Sequence, residues 1–127
     1  MKTPFVVVLS LAAGAVLGAG TIQALHAQAK PPVYSVALIE VTNPDGYAKE
    51  YLPPASSSIA AHGGIYVARG SGTAIAGTLP TDRVVILRWE SLDAPKAWYN
   101  STAYVAANKI GEKYAKFNFV AVEGVPQ

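Results

Sequence analysis

His62 is the residue best suited to move a proton in this chain, because an imidazole titrates near about 6.5 and so gains and loses a proton at neutral pH. Arg88 is a fixed cation that could hold negative charge developing on a substrate oxygen. Together they would suit a cofactor-free enzyme, oxygenase-like or isomerase-like, with His62 as general acid/base and Arg88 as oxyanion partner. A second chemistry comes from the aromatic residues. Tyr47 and Tyr51 lie four apart, so they share a helix face, and Trp98 and Tyr99 are adjacent on a second helical stretch. These four could line a pocket for a small apolar or aromatic ligand, or serve as ordinary core with polar tips at the surface. His62 has a structural role open to it as well, since a histidine in the last helical turn before Gly63-Gly64 interacts favourably with the helix dipole.

Several other chemistries are excluded by residue type. The chain has no cysteine, which removes disulfides, thiol nucleophiles and thiolate metal ligands. No metal site is expected, because no acidic cluster has ligand spacing and His62 stands alone once the leader is set aside; haem held by a single histidine is a lesser alternative. Ser71, between two glycines, is not a nucleophile elbow, and Gly70-Ser71-Gly72 lacks the third glycine and following helix of a dinucleotide fingerprint, so no cofactor is expected. The formal charge of +2 is spread without runs, which is no footprint for nucleic acid.

The elements that would position these residues begin after residue 29. Residues 1–29 read as a cleavable signal peptide: Lys2, an apolar stretch from Phe5 to Ala19, and the small-residue exit Ala27-Gln28-Ala29. Retention as an N-terminal anchor is the alternative. Cleavage places the domain, residues 30–127, in the periplasm or outside the cell, with no membrane association. Val33 to Val41 reads as a strand with both faces largely apolar, which suits a strand covered on both sides. Helices can cover one side only in so short a chain, and a second copy, a homodimer, supplies the other.

Asn43 is expected to cap a helix begun by Pro44, with Ala48, Leu52, Ala55 and Ile59 as its core stripe and a kink or restart at Pro53-Pro54. Ile65 to Arg69 and Arg83 to Glu90 are the second and third strands, joined by a Gly/Ser/Thr/Pro-rich connection. Ser91 is expected to cap a helix over Leu92 to Asn100 and Ser101 another running to about Ala115; Phe117 to Glu123 is the last strand. The order β-α-β-β-α-(α)-β is the ferredoxin-like α+β arrangement with sheet order 4-1-3-2 and antiparallel neighbours. It gathers Tyr34, His62, Arg88, Glu90 and Glu123 at one sheet edge and Glu40, Arg69 and Arg83 at the other, where ordinary ion pairs are expected.

At Ala61-His62-Gly63-Gly64, Arg69-Gly70, Arg83-Val84-Val85-Ile86, Ala97-Trp98-Tyr99-Asn100-Ser101 with Tyr104, and Val122-Glu123-Gly124-Val125, the chain resembles the family known as domain of unknown function 1330. The likeness spans Val33 to Val125. It implies membership of the dimeric α+β barrel superfamily, in which two ferredoxin-like sheets pack face to face. That superfamily includes cofactor-free oxygenases, isomerase-like proteins and haem-binding relatives, while this family has no assigned activity. Where the resemblance directs attention to an acidic residue near the end of the third strand, this chain carries Arg88, and its leader departs from relatives that resemble cytoplasmic proteins. The expected function is thus a homodimer binding a small apolar or aromatic ligand through Tyr47, Tyr51, Trp98 and Tyr99, with the His62/Arg88 enzyme and a siteless structural dimer as alternatives.

Overall fold

The β-branched run from Val33 to Val41 forms the strand β1 at those bounds and takes a central place in the sheet. The computed structural model describes residues 30–127, so the leader and its Ala27-Gln28-Ala29 site lie outside the described residues. After β1 come a short helix α1 (Pro44–Gly46), a π-helical turn (Tyr47–Tyr51) and α2 (Leu52–Ala61). Then follow β2 (Ile65–Ser71), β3 (Arg83–Trp89), α3 (Asp93–Tyr99), α4 (Thr102–Gly111) and β4 (Ala115–Glu123). The strands pair antiparallel in the order β2-β3-β1-β4, as the ferredoxin-like reading requires. No helix among the described residues is long and apolar enough to cross a membrane.

Alternation along β1 divides the molecule. Val33, Ser35, Ala37 and Ile39 are buried under the helices, together with Val85, Leu87 and Trp89 of β3. Buried Trp89 donates its indole N–H to Ser35 Oγ at 2.9 Å, which satisfies the one polar residue in that row. The opposite face carries Tyr34, Val36 and Leu38, flanked in register by Ile86 and Val84 and by Val122 and Val120. Among the described residues no helix lies over it, and Val120 and Val122 are more than half exposed.

The helix starts and stops follow local chemistry. Asn43 Oδ1 accepts from the Gly46 amide at 3.1 Å, and Ser101 Oγ accepts from the Tyr104 amide at 3.2 Å, as N-caps do. Gly63, at φ 81, turns the chain out of α2 while the Gly64 amide bonds back to the Ile59 carbonyl. Other expectations need correction. Ser91 does not cap α3 through its side chain; Leu92 occupies that position without a side-chain bond. Helix α4 ends at Gly111, not near Ala115, because β4 already begins at Ala115. The stripe is also shifted: Ala48 is exposed, and Tyr47 and Tyr51 face the core with Ala55 and Ile59. A π turn takes more residues than an α turn, so it moves the buried phase of the segment away from Ala48.

Candidate functional site

Two backbone irregularities build the site. The π-helical turn carries Tyr47 and Tyr51 inward, stacked with ring centroids 5.2 Å apart. In β2 the register slips between Tyr66 and Ala68, leaving Val67 as the extra residue of a bulge. In a regular strand Tyr66 and Arg69, three apart, would point to opposite faces. With the bulge between them Tyr66 pairs with Leu87 and Arg69 with Val85, so both lie on the helix side. The Arg69 guanidinium then sits 4.8 Å over the Tyr66 ring, and Tyr66 Oη meets Ser56 Oγ of α2 at 3.0 Å.

Arg83 opens β3 on the same face. Its guanidinium lies 5.2 Å over the Tyr47 ring, and its Nε donates to Tyr47 Oη at 3.2 Å. Burial pushes the Tyr47 phenol above its ordinary value, with Arg83 pulling in the opposite direction. Below this gate is an apolar cavity of about 30 Å³, between helices and sheet, with Tyr51, Trp98 and Phe119 in its wall and Arg69 and Arg83 its only charged members. That is room for roughly one water. Outside the gate lies an open hollow of about 390 Å³, floored by Val41, Pro44, Ala48 and Leu52 and rimmed by Ser71, Asp82 and Arg83. Tyr47, Leu52 and Arg83 line both spaces, so they form the partition between them.

Behind the cavity the aromatic residues continue as one network. Tyr51 Oη and Tyr104 Oη share a buried hydrogen bond at 2.8 Å, one phenol donating to the other. Burial drives both phenols well above the usual tyrosine range. Trp98 packs tilted against Tyr104 at 4.0 Å between centroids and donates its indole N–H to Ser58 Oγ, itself bonded to the Ala55 carbonyl. Tyr99 extends the cluster from Trp98 at 6.2 Å but is 44% exposed and does not line the cavity. The four expected ligand-binding aromatics are therefore brought together, three in the cavity wall and one on the outside of α3.

His62 and Arg88 are not brought together. His62 ends α2, where its Nδ1–H donates to the Ser58 carbonyl at 2.9 Å, a helix-end role. Arg88 alternates with buried Leu87 and Trp89, so it points to the helix-free face, across the sheet. Neither lines the cavity. Among the described residues no group of three His, Asp or Glu side chains is placed to hold a metal. Tyr66, Tyr104, Arg69 and Arg83 are site residues that pattern reading passed over. Tyr104 stood among the residues of the family resemblance, whereas the others depend on the bulge and the π turn.

The fold recurs in solved structures. A protein of unknown function from Rhodopseudomonas palustris aligns at TM-score 0.63 and 16% identity, covering 83% of this chain and 92% of its own. SnoaB, a cofactor-independent oxygenase from Streptomyces nogalater, aligns at 0.57 and 12% identity, over 76% of this chain and 96% of its own. HapK from Hahella chejuensis aligns at 0.55 and 10% identity, over 75% and 94%. At such identities the likeness shows the fold alone. No curated protein matches the chain. The family pattern does match, over residues 32–125 and across both edges of the sheet and the whole aromatic cluster, so the chain belongs to the family described as Domain of unknown function (DUF1330).

Proposed function

We propose that this protein is an exported homodimer that binds a small apolar or aromatic ligand between its helices and sheet, at the gate formed by Tyr47 and Arg83. One observation carries the reading: an open hollow of about 390 Å³, inside the range of about 300–1,000 Å³ usual for ligand sites, meets an aromatic-walled cavity across that gate. A flat ligand would rest on Leu52, Ala48 and Pro44 beside the Tyr47 ring. The homodimer would bury the helix-free sheet face, whose centre is apolar and whose far corners carry Arg88 at one end and Glu40 with Lys116 at the other. Export rests on the leader residues alone. The His62/Arg88 enzyme is less favoured, because a sheet lies between the two side chains.

Ala48 gives a test that spares the core, being exposed and lining only the outer hollow. Titration with a panel of fused-ring aromatics, followed by quenching of Trp98, should saturate for the wild type. Ala48→Trp should fill the hollow and weaken that binding at least tenfold with an unchanged circular dichroism spectrum. Equal binding by a folded Ala48→Trp variant would remove the hollow from the function.

A further inference from the structure

We infer that Arg69 and Arg83 form an anion subsite, and that the ligand class is an aromatic or apolar acid whose carboxylate docks on the two guanidinium groups. The inference rests on the binding reading above and narrows it. Both arginines are on the helix side of neighbouring strands, Arg69 opposite Val85 and Arg83 opposite Ser71, so they stand on a short diagonal at one sheet edge. Both act on the same phenol: burial raises the Tyr47 pKa, and each guanidinium pulls it back down.

Their protein partners leave most of their hydrogen-bonding capacity unused. An arginine has five N–H donors. Among the described residues, Arg83 gives one, its Nε–H, to Tyr47 Oη, while the Arg69 contact is with the Tyr66 ring face. No buried side-chain nitrogen among the described residues lacks a partner, so the remaining N–H groups of half-buried Arg83 reach solvent and can be offered to a ligand. The cavity wall they share contains no carboxylate, leaving two positive charges over an apolar lining. Asp82 stands on the rim of the outer hollow, and it is the one acidic residue there.

A guanidinium over an aromatic ring still has N–H donors to offer, and a pair of them can grip a carboxylate in a paired, planar fashion. The ring contacts, and for Arg83 the hydrogen bond to Tyr47, favour these positions before the ligand arrives, which lowers the ordering cost of binding. A neutral aromatic molecule would use the hollow and leave those N–H groups to water. An aromatic acid would use both.

Two probes of one shape separate the outcomes: 2-naphthoate, an acid, and 2-naphthylmethanol, its neutral counterpart. Titrated into the wild-type protein at low salt, naphthoate should bind about tenfold more tightly than the alcohol or better. In the Arg69→Gln/Arg83→Gln double variant the preference for naphthoate should vanish, the two probes binding within about twofold of each other. Arg83→Lys, which keeps the charge but loses the planar fork, should retain only part of the preference. Equal binding of the two probes by wild type, or an undiminished preference in a folded double variant, overturns the anion subsite while leaving the aromatic site standing. Failure of both probes to bind overturns both.

Discussion

The phenol pair of Tyr51 and Tyr104 is the most tightly held polar feature of the core: Tyr104 is fully buried and Tyr51 nearly so. Removing one hydroxyl strands the other in an apolar setting, at a cost of about 1–3 kcal/mol, so Tyr51→Phe and Tyr104→Phe should each lower urea stability by that order. The double variant should cost less than the sum of the two, because no lone hydroxyl remains. The same pair sets an alkaline limit. Both phenols ionise above the ordinary value when folded, and in the unfolded chain they ionise near about 10. The native state therefore keeps protons that the unfolded state loses, and stability is full below about pH 10 and falls as pH rises beyond it. Unfolding followed from pH 8 to 11.5 should show this decline, and the double Phe variant should flatten it. A wild-type slope equal to that of the double variant would show that the pair does not set the limit.

At the scale of the elements, the π turn decides which residues make the site. Read as continuous α-helix from Pro44, the segment places Ala48 inward; the extra length of the turn brings Tyr47 there instead, beneath Arg83. Deleting Ala48, which is exposed, should convert the turn to α geometry and leave Tyr47 three residues before Tyr51, the inward position, still beneath Arg83. The deletion should keep aromatic-probe affinity within a few fold while helix content holds; a loss of about tenfold or more would show that the π geometry itself, and not the inward phase of Tyr47, makes the site. This is also where the limits of pattern reading lie. The β1 bounds, the Asn43 and Ser101 caps, the Gly63 stop and the strand order were legible because each depends on residues adjacent in sequence or on alternation of period two. The four aromatics were legible as a group because they are the bulky members of two helices. Arg69 and Arg83 were placed at the right sheet edge, but their chemistry was not readable. An ion pair with Glu40 was the natural expectation there, yet Glu40 alternates to the helix-free face opposite Lys116. The ring contacts that Arg69 and Arg83 make instead arise from a bulge and a π turn, and neither irregularity has a dependable signature in residue type.

For the whole molecule the open question of partnership concerns the sheet face without helices. Tyr34, Val36, Leu38, Val84, Ile86, Val120 and Val122 occupy adjacent positions on one face across three strands. A two-fold axis through the centre of such a face would bring Val36, Ile86 and Val120 of both copies together, each patch against itself, as an isologous interface demands. Val120, at 61% exposure, is the residue to alter, because among the described residues it is open enough to take a long charged side chain. Native mass spectrometry of the full chain expressed with its leader and taken from the periplasmic fraction should give a dimer of chains beginning at Lys30. Val120→Lys should give a folded monomer of the same starting residue, since burying two unpaired ammonium groups at the centre of the interface costs several kcal/mol. If Val120→Lys remained dimeric, pairing would have to use another surface. A wild-type chain retaining residues 1–29 in the membrane fraction would replace the exported dimer with an anchored one.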